Sequence, residues 1–168
     1  CTAITRCTAL RPTLRHLIEQ GAKLILAAHL GRPKGQREAT MSLRPVAARL
    51  AELLGCKVNF VDDCIGEKVE KLASELPPGG ILLLENVRYY NEEEANDPVF
   101  AAKLAKVADI YVNDAFGAAH RAHASTEGVA RIVAKRGGQC AAGLLMELEL
   151  KFLGDELDQP ARPFVVIL

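Results

Sequence analysis

Apolar positions along the chain recur either every three to four residues or in short unbroken runs, and the two patterns take turns. Leu10, Leu14, Leu17 and Ile18 share a helical face, Pro12 fits that helix only near its first turn, and Gly21 is placed to end it. "KLILAAH" at 23–29 reads as a strand. Ser42 is a candidate N-cap for a helix whose stripe is Leu43, Val46, Ala47, Leu50, Leu53 and Leu54, with Gly55 as the stop. "KVNFV" at 57–61 is a short strand, and Ile65, Val69, Leu72 and Leu76 mark a helix broken by "PPGG" at 77–80. "ILLLENV" at 81–87 is nearly all apolar, the mark of a strand covered on both faces. Asp97 followed by Pro98 starts a helix through Phe100, Leu104 and Val107. "DIYVNDAFG" at 109–117 is a strand, and a helix resumes near Thr126 until "KRGGQ" at 135–139 interrupts it. "LLMELELKFLGDEL" at 144–157 is a further helix, and "RPFVVIL" at 162–168 begins a strand.

This alternation predicts an α/β fold, a doubly wound parallel sheet in a Rossmann-like three-layer αβα arrangement. No internal repeat or low-complexity stretch interrupts it. The last strand, set apart by a long helix, is a candidate first strand of a second domain.

Composition narrows the function classes. The 168 residues, 49% of them apolar, suffice for one domain with a real core and perhaps a fragment of another. Lys plus Arg and Asp plus Glu both number 21, so no overall field recommends nucleic acid or an anionic membrane, and an anion site must be gathered locally. Five cysteines, odd in number and without a C-x-x-C pair, point to reduced thiols in the cytosol. No apolar run approaches the ~18 residues of a membrane span. The chain opens in mid-pattern without Met, so the expectation is that residues before Cys1, and any targeting segment among them, are missing.

In an open parallel sheet, ligands bind beyond the carboxyl ends of the strands. The loop after "LILAA" carries His29 and Arg32, the loop after "ILLLENV" carries Arg88, and the loop after "YVNDAFG" carries His120 and Arg121, with His123 nearby. Singly, Arg88 reads as a surface arginine and Arg32 as a turn residue. Repetition at one end of the sheet shifts the weight, since the planar guanidinium suits carboxylate and phosphate oxygens. Gly31 and Gly117 would allow close backbone approach or positive φ. His120 and His123 lack a third ligand of suitable spacing, which disfavours a metal. Glu92, Glu93 and Glu94 read as a solvated face. Neither G-x-G-x-x-G, G-x-x-x-x-G-K-[ST] nor G-x-S-x-G is present. The chemistry on offer is electrostatic.

"HLGRPKG", "LLLENVRYY", "NDPVFAAKLA" and "YVNDAFGAAHRAHASTEGVA", in order and with the stretches between them, closely resemble the N-terminal domain of the phosphoglycerate kinase family. The resemblance implies two doubly wound domains joined by a long helix, the first binding 3-phosphoglycerate and the second Mg-ATP or Mg-ADP. Residues 1–142 would be the substrate-binding domain without its first strand, 143–158 the interdomain helix, and 162–168 the start of the nucleotide domain. It implies that His29, Leu30, Gly31 and Arg32 contact substrate, that Arg88, His120 and Arg121 belong to the basic patch, and that Arg6 stabilises the phosphoryl group in flight. The implied protein is a monomeric, cytoplasmic enzyme of glycolysis that moves a phosphoryl group between 1,3-bisphosphoglycerate and ADP. The family's Asp-x-Asn strand would precede Cys1 and its Gly-Gly-Ala-Lys stretch would follow Leu168, so the expectation is a fragment inactive alone. The alternatives are a non-catalytic anion-binding or scaffold module on the same fold and, less favoured, a Rossmann-type redox module.

Overall fold

The computed structural model describes residues 2–158, 162 and 165, with the side chains of 2–7 and 155–158 outside that description. The strand expected at 162–168 falls largely outside the described residues. In chain order the elements are α1 (Thr2–Glu19), β1 (Leu24–Leu26), α2 (Arg44–Leu54), β2 (Val58–Phe60), α3 (Glu67–Ser74), β3 (Ile81–Leu83), α4 (Asn91–Glu94), α5 (Pro98–Ala105), β4 (Tyr111–Asn113), α6 (Phe116–Ala119), α7 (Val129–Lys135), β5 (Cys140–Ala142) and α8 (Leu144–Asp158). Single 3₁₀ turns at Ala39–Met41 and Val87–Tyr89 and a π turn at Ala124–Gly128 complete the path.

β3 lies between β1 and β2, and both pairings are parallel: Leu26 and Phe60 each stand opposite Leu83. Its alternation divides the core. Leu82 points into a cluster built with Val69, Phe100, Leu104 and Val133 from α3, α5 and α7. Ile81 points the other way, into Leu14 and Leu50 from α1 and α2, and Leu83 meets Leu43 and Ala47 on that side. Helices therefore cover both faces, as expected, and β3 is no more than 2% exposed at any position.

The single sheet of the sequence reading is, among the described residues, two parallel sheets, because β4 pairs with β5 and no described strand carries the ladder from β1 across to β4. Side chains bridge the halves instead. Thr13 Oγ1 in α1 donates to Asp114 Oδ2 at 2.6 Å beyond β4, and the Leu144 and Met146 amides at the start of α8 donate to Thr13 Oγ1 and Asp114 Oδ1. Pro12 differs from expectation too, since α1 begins at Thr2 and the proline sits well inside it. An interior proline costs a helix about 3 kcal/mol. The buried neighbours Thr13 and Leu14 offset that cost by anchoring the same turn to the rest of the molecule.

Ser42 caps from one position further out than predicted. Leu43 is the N-cap residue, while Ser42 Oγ accepts from the Arg44 amide and donates to Glu85. Gly55 ends α2 and Asp97 caps α5 by accepting from the Phe100 amide, both as expected.

Candidate functional site

The loop leaving β1 is bent by its own residues. Gly31 has φ +67°, a conformation that favours glycine, and a Cβ there would come 2.7 Å from the sulfur of the flexible Met41 side chain, which would have to shift. Pro33 is buried and Lys34 adopts φ +52°, which turns the chain away from the sheet. Gly117 does not follow the same logic. It lies inside α6 without positive φ, so that part of the expectation is corrected, while the open space around it leaves room for close approach to the backbone.

The β3 exit holds this loop in place. The Val87 amide donates to Ala28 O at 3.2 Å, and Asn86 Nδ2 donates to Leu30 O at 2.8 Å and Met41 O at 3.0 Å. Arg88 reaches across as well, its Nη1 donating to Gly31 O at 3.1 Å. Arg88 Nε lies 3.3 Å from Glu94 Oε1 without hydrogen-bond alignment, and the side chain is only 12% exposed. Beneath it, Glu85 is a buried carboxylate that accepts from the amides of Leu43 and Asn86 and from Ser42 Oγ. The β2 exit joins the same assembly. Asp63 accepts from Arg37 and from the Tyr90 hydroxyl, while its carbonyl accepts from the Glu85 amide.

The third cationic segment follows β4. His120 and Arg121 are exposed, with Arg121 Nε donating to His120 Nε2 at 3.3 Å, whereas His123 is buried. Thr126 Oγ1 accepts from the His123 amide and donates to Arg121 O at 2.8 Å. Tyr111 donates its hydroxyl to the carbonyls of Ser125 and Thr126, and burial pushes that phenol up to about 12.

Glu93 corrects the reading of its neighbourhood as a solvated face. Glu92 and Glu94 are exposed, but Glu93 is 2% exposed and accepts from both the amide (3.0 Å) and the hydroxyl (2.5 Å) of Ser125. Burial raises its pKa, against the lowering effect of the Ser125 bonds and of the charges of His123 and Arg88. The two bonds from Ser125 to Glu93 bring the segments that follow β3 and β4 together.

The structure thus brings Arg88 onto Gly31 and Asn86 onto Leu30, and ties the segment carrying His120 and Arg121 to the β3 exit through Glu93 and Ser125. Arg32 is exposed on the same loop and His29 is half-buried, while the side chain of Arg6 lies outside the described residues. Asn86, Glu93 and Ser125 were missed from sequence, because no spacing rule marks a side chain whose partner is a distant backbone group. Of two clefts, one borders this assembly and the other lies on α1. One of about 490 Å³ is lined by Arg37, Ser42, Arg44, Glu85 and Tyr89, and one of about 410 Å³ by Thr8, Arg11, Pro12 and Arg15. The candidate cations line neither. Among the described residues no group of three His, Cys, Asp or Glu is placed to hold a metal, and no helix is long and apolar enough to cross a membrane.

Comparison with known proteins supplies the family. A chain 58% identical over 164 residues is the cytosolic phosphoglycerate kinase of Triticum aestivum, and the match covers 98% of this chain and 40% of that one. The phosphoglycerate kinase of Dictyoglomus turgidum is 55% identical, with 94% of this chain and 38% of the relative covered. Among solved structures, phosphoglycerate kinase from Pyrococcus horikoshii OT3 superposes with a TM-score of 0.82 at 35% identity, covering 95% of this chain and 39% of that one. This chain therefore spans about 40% of the length of these relatives. The family model for phosphoglycerate kinase matches residues 1–168, and the chain belongs to that family.

Proposed function

We propose that this chain supplies the 3-phosphoglycerate-binding part of a phosphoglycerate kinase, which transfers a phosphoryl group between 1,3-bisphosphoglycerate and ADP in glycolysis. The observation that carries the reading is the lock between Arg88 Nη1 and Gly31 O, reinforced by Asn86 on Leu30 O. It sets an arginine against the H-L-G-R loop at the carboxyl ends of two adjacent parallel strands, where phosphorylated ligands bind open sheets.

Residues 1–142 form the substrate-binding unit on this reading, 143–158 the connecting helix and 162–168 the start of the next domain. His29, Leu30, Gly31 and Arg32 contact the phosphoglycerate, and Arg88, His120 and Arg121 neutralise its phosphate and carboxylate. Arg6 is assigned to the phosphoryl group in flight by family resemblance. Phosphoryl transfer asks little covalent chemistry of a protein; it needs in-line placement and charge neutralisation on the equatorial oxygens. The Arg88 guanidinium, already fixed by its hydrogen bond to Gly31 O, supplies part of that without reorganising. The nucleotide, carried with magnesium, is the second substrate, and no residue described here is given a role toward it. The protein is read as a monomer acting in the cytosol; relatives include both cytosolic and chloroplastic enzymes.

Calorimetric titration of the chain with 3-phosphoglycerate tests the reading. Saturable binding that Arg32→Ala weakens is expected, as is no turnover of 1,3-bisphosphoglycerate with ADP by this chain alone. Absence of binding by the folded parent chain would remove the proposal.

A further inference from the structure

Glu93 is a carboxylate withdrawn almost wholly from water, and among the described residues no lysine or arginine forms an ion pair with it. Burial of a charge is strongly disfavoured unless hydrogen bonds replace the lost water. Here one serine provides them. The Ser125 amide bonds one carboxylate oxygen and its hydroxyl the other, so the carboxylate fixes both the position and the orientation of Ser125. An apolar residue of the same size would fill the space and fix neither.

What lies on each side of that bond gives it a purpose. Upstream, Glu93 follows the Val87–Tyr89 turn that presents Arg88, and the adjacent Glu94 faces the Arg88 side chain. Downstream, Thr126 holds the Arg121 carbonyl, four residues before Ser125. Nearby, Asn96 Nδ2 donates to Glu127 at 2.7 Å, and a Cβ on Gly128 would come 2.7 Å from Ala101 Cβ, so the two segments are pressed together over a wider front. A π turn at 124–128 is an uncommon geometry that recurs at functional sites.

We infer that Glu93 is a positioning residue for the anion site: through Ser125 it sets the separation between Arg88 and the His120–Arg121 segment. The inference rests on the phosphoglycerate-binding reading above and adds to it the residue that holds two of the three cationic segments in register. Glu93 touches no ligand on this account. It acts through the backbone of 121–126.

The test uses the whole chain, with 3-phosphoglycerate as probe. Glu93→Gln and Ser125→Ala should each remain folded, judged by circular dichroism and thermal midpoint, yet bind about tenfold more weakly, the effect of a coupling of ordinary size. The double variant should bind no more weakly than either single one, because both break the same link. Ser125→Thr, which keeps both donors, should restore affinity, and Glu92→Gln on the exposed neighbour should bind like the parent. Unchanged affinity in folded Glu93→Gln, or losses that add in the double variant, would overturn the inference. If Glu93→Gln does not fold, Ser125→Ala and Ser125→Thr make the same comparison. If the parent itself binds no 3-phosphoglycerate, the site reading fails, and the link is judged on amide NMR signals of the variants. Signals of 120–128 displaced while those of α2 stay put uphold it; unmoved signals sink it.

Discussion

Arg32 and Arg88 stand on neighbouring strand exits, yet the fold uses them differently. Arg32 is exposed, whereas Arg88 is largely covered and bonded to the Gly31 carbonyl. Arg32→Ala should therefore weaken 3-phosphoglycerate binding while changing stability by less than about 0.5 kcal/mol, the usual size for a surface substitution. Arg88→Ala should weaken binding and also destabilise by about 1–2 kcal/mol, because a loop carbonyl loses its donor. Chemical denaturation beside calorimetry separates the two, and equal stability losses would deny Arg32 its role. Glu93 makes a second residue-scale prediction. Its folded-state pKa lies above the usual 4.5 because of burial, so the folded chain holds this proton more tightly than the unfolded one. Its contribution to stability is thus fullest below 4.5 and is lost as pH rises through the raised folded value. The stability difference between parent and Glu93→Gln should shrink on going from acid toward neutral pH. Asp62 and Glu127, whose pKa values are lowered by hydrogen bonds from Lys68 and Asn96, have the opposite slope and cancel in that difference. A third concerns thiols. Burial pushes the Cys64 thiol far up, while Cys56 and Cys140 are exposed. A thiolate-seeking reagent followed by peptide mass mapping should mark those two in the folded chain and reach Cys64 only after unfolding.

Among the elements, α5 shows how a local signal survives into the structure. Asp97 and Pro98 announce its start, and the Asp97 carboxylate does accept from the Phe100 amide at 2.8 Å. Asp97→Ala should cost about 1 kcal/mol, which for a chain of this size lowers the thermal midpoint by roughly 2–4 °C. The apolar run of β3 and the stripe of α2 were equally legible, since burial on two faces or on one writes itself into the periodicity. β5 was not. Cys140–Ala142 is three exposed residues with no period, and it is a strand because β4 offers it backbone partners. Pro12 misled for a related reason: propensity marks the proline, but the bonds that keep α1 whole come from α8 and Asp114. At the site, the cations were legible from their repetition at strand ends. The residues that fix them, Asn86, Glu93 and Ser125, answer to partners 32 to 56 positions away and leave no mark in local spacing.

At the scale of the molecule, two helical layers close over β3, and its central leucine is the place where the core is least forgiving. Leu82 is 0% exposed, so Leu82→Ala should cost about 2–5 kcal/mol. The outer side of α8 contrasts with this. Leu148, Leu150, Phe152 and Leu153 are each about half exposed along this helix, and Leu148 and Phe152, four residues apart, share one face of it. The chain should bind an apolar dye, and a Leu148→Lys, Phe152→Lys double variant should bind less of it, as dye fluorescence would show. The bridge between the sheet halves also bears on how the protein comes into being. Thr13 meets the α8 amide of Leu144 across 131 positions, so at ~5–20 residues per second a ribosome needs roughly 7–26 s to deliver the second partner after the first. Through that interval the link from α1 to α8 is unmade, and the nascent chain holds α1 by Leu14 against Leu50 and Ile81 while β1, β2 and β3 close around their helices. A codon or chaperone that changes the pace between those two points acts on the protein before any substrate does.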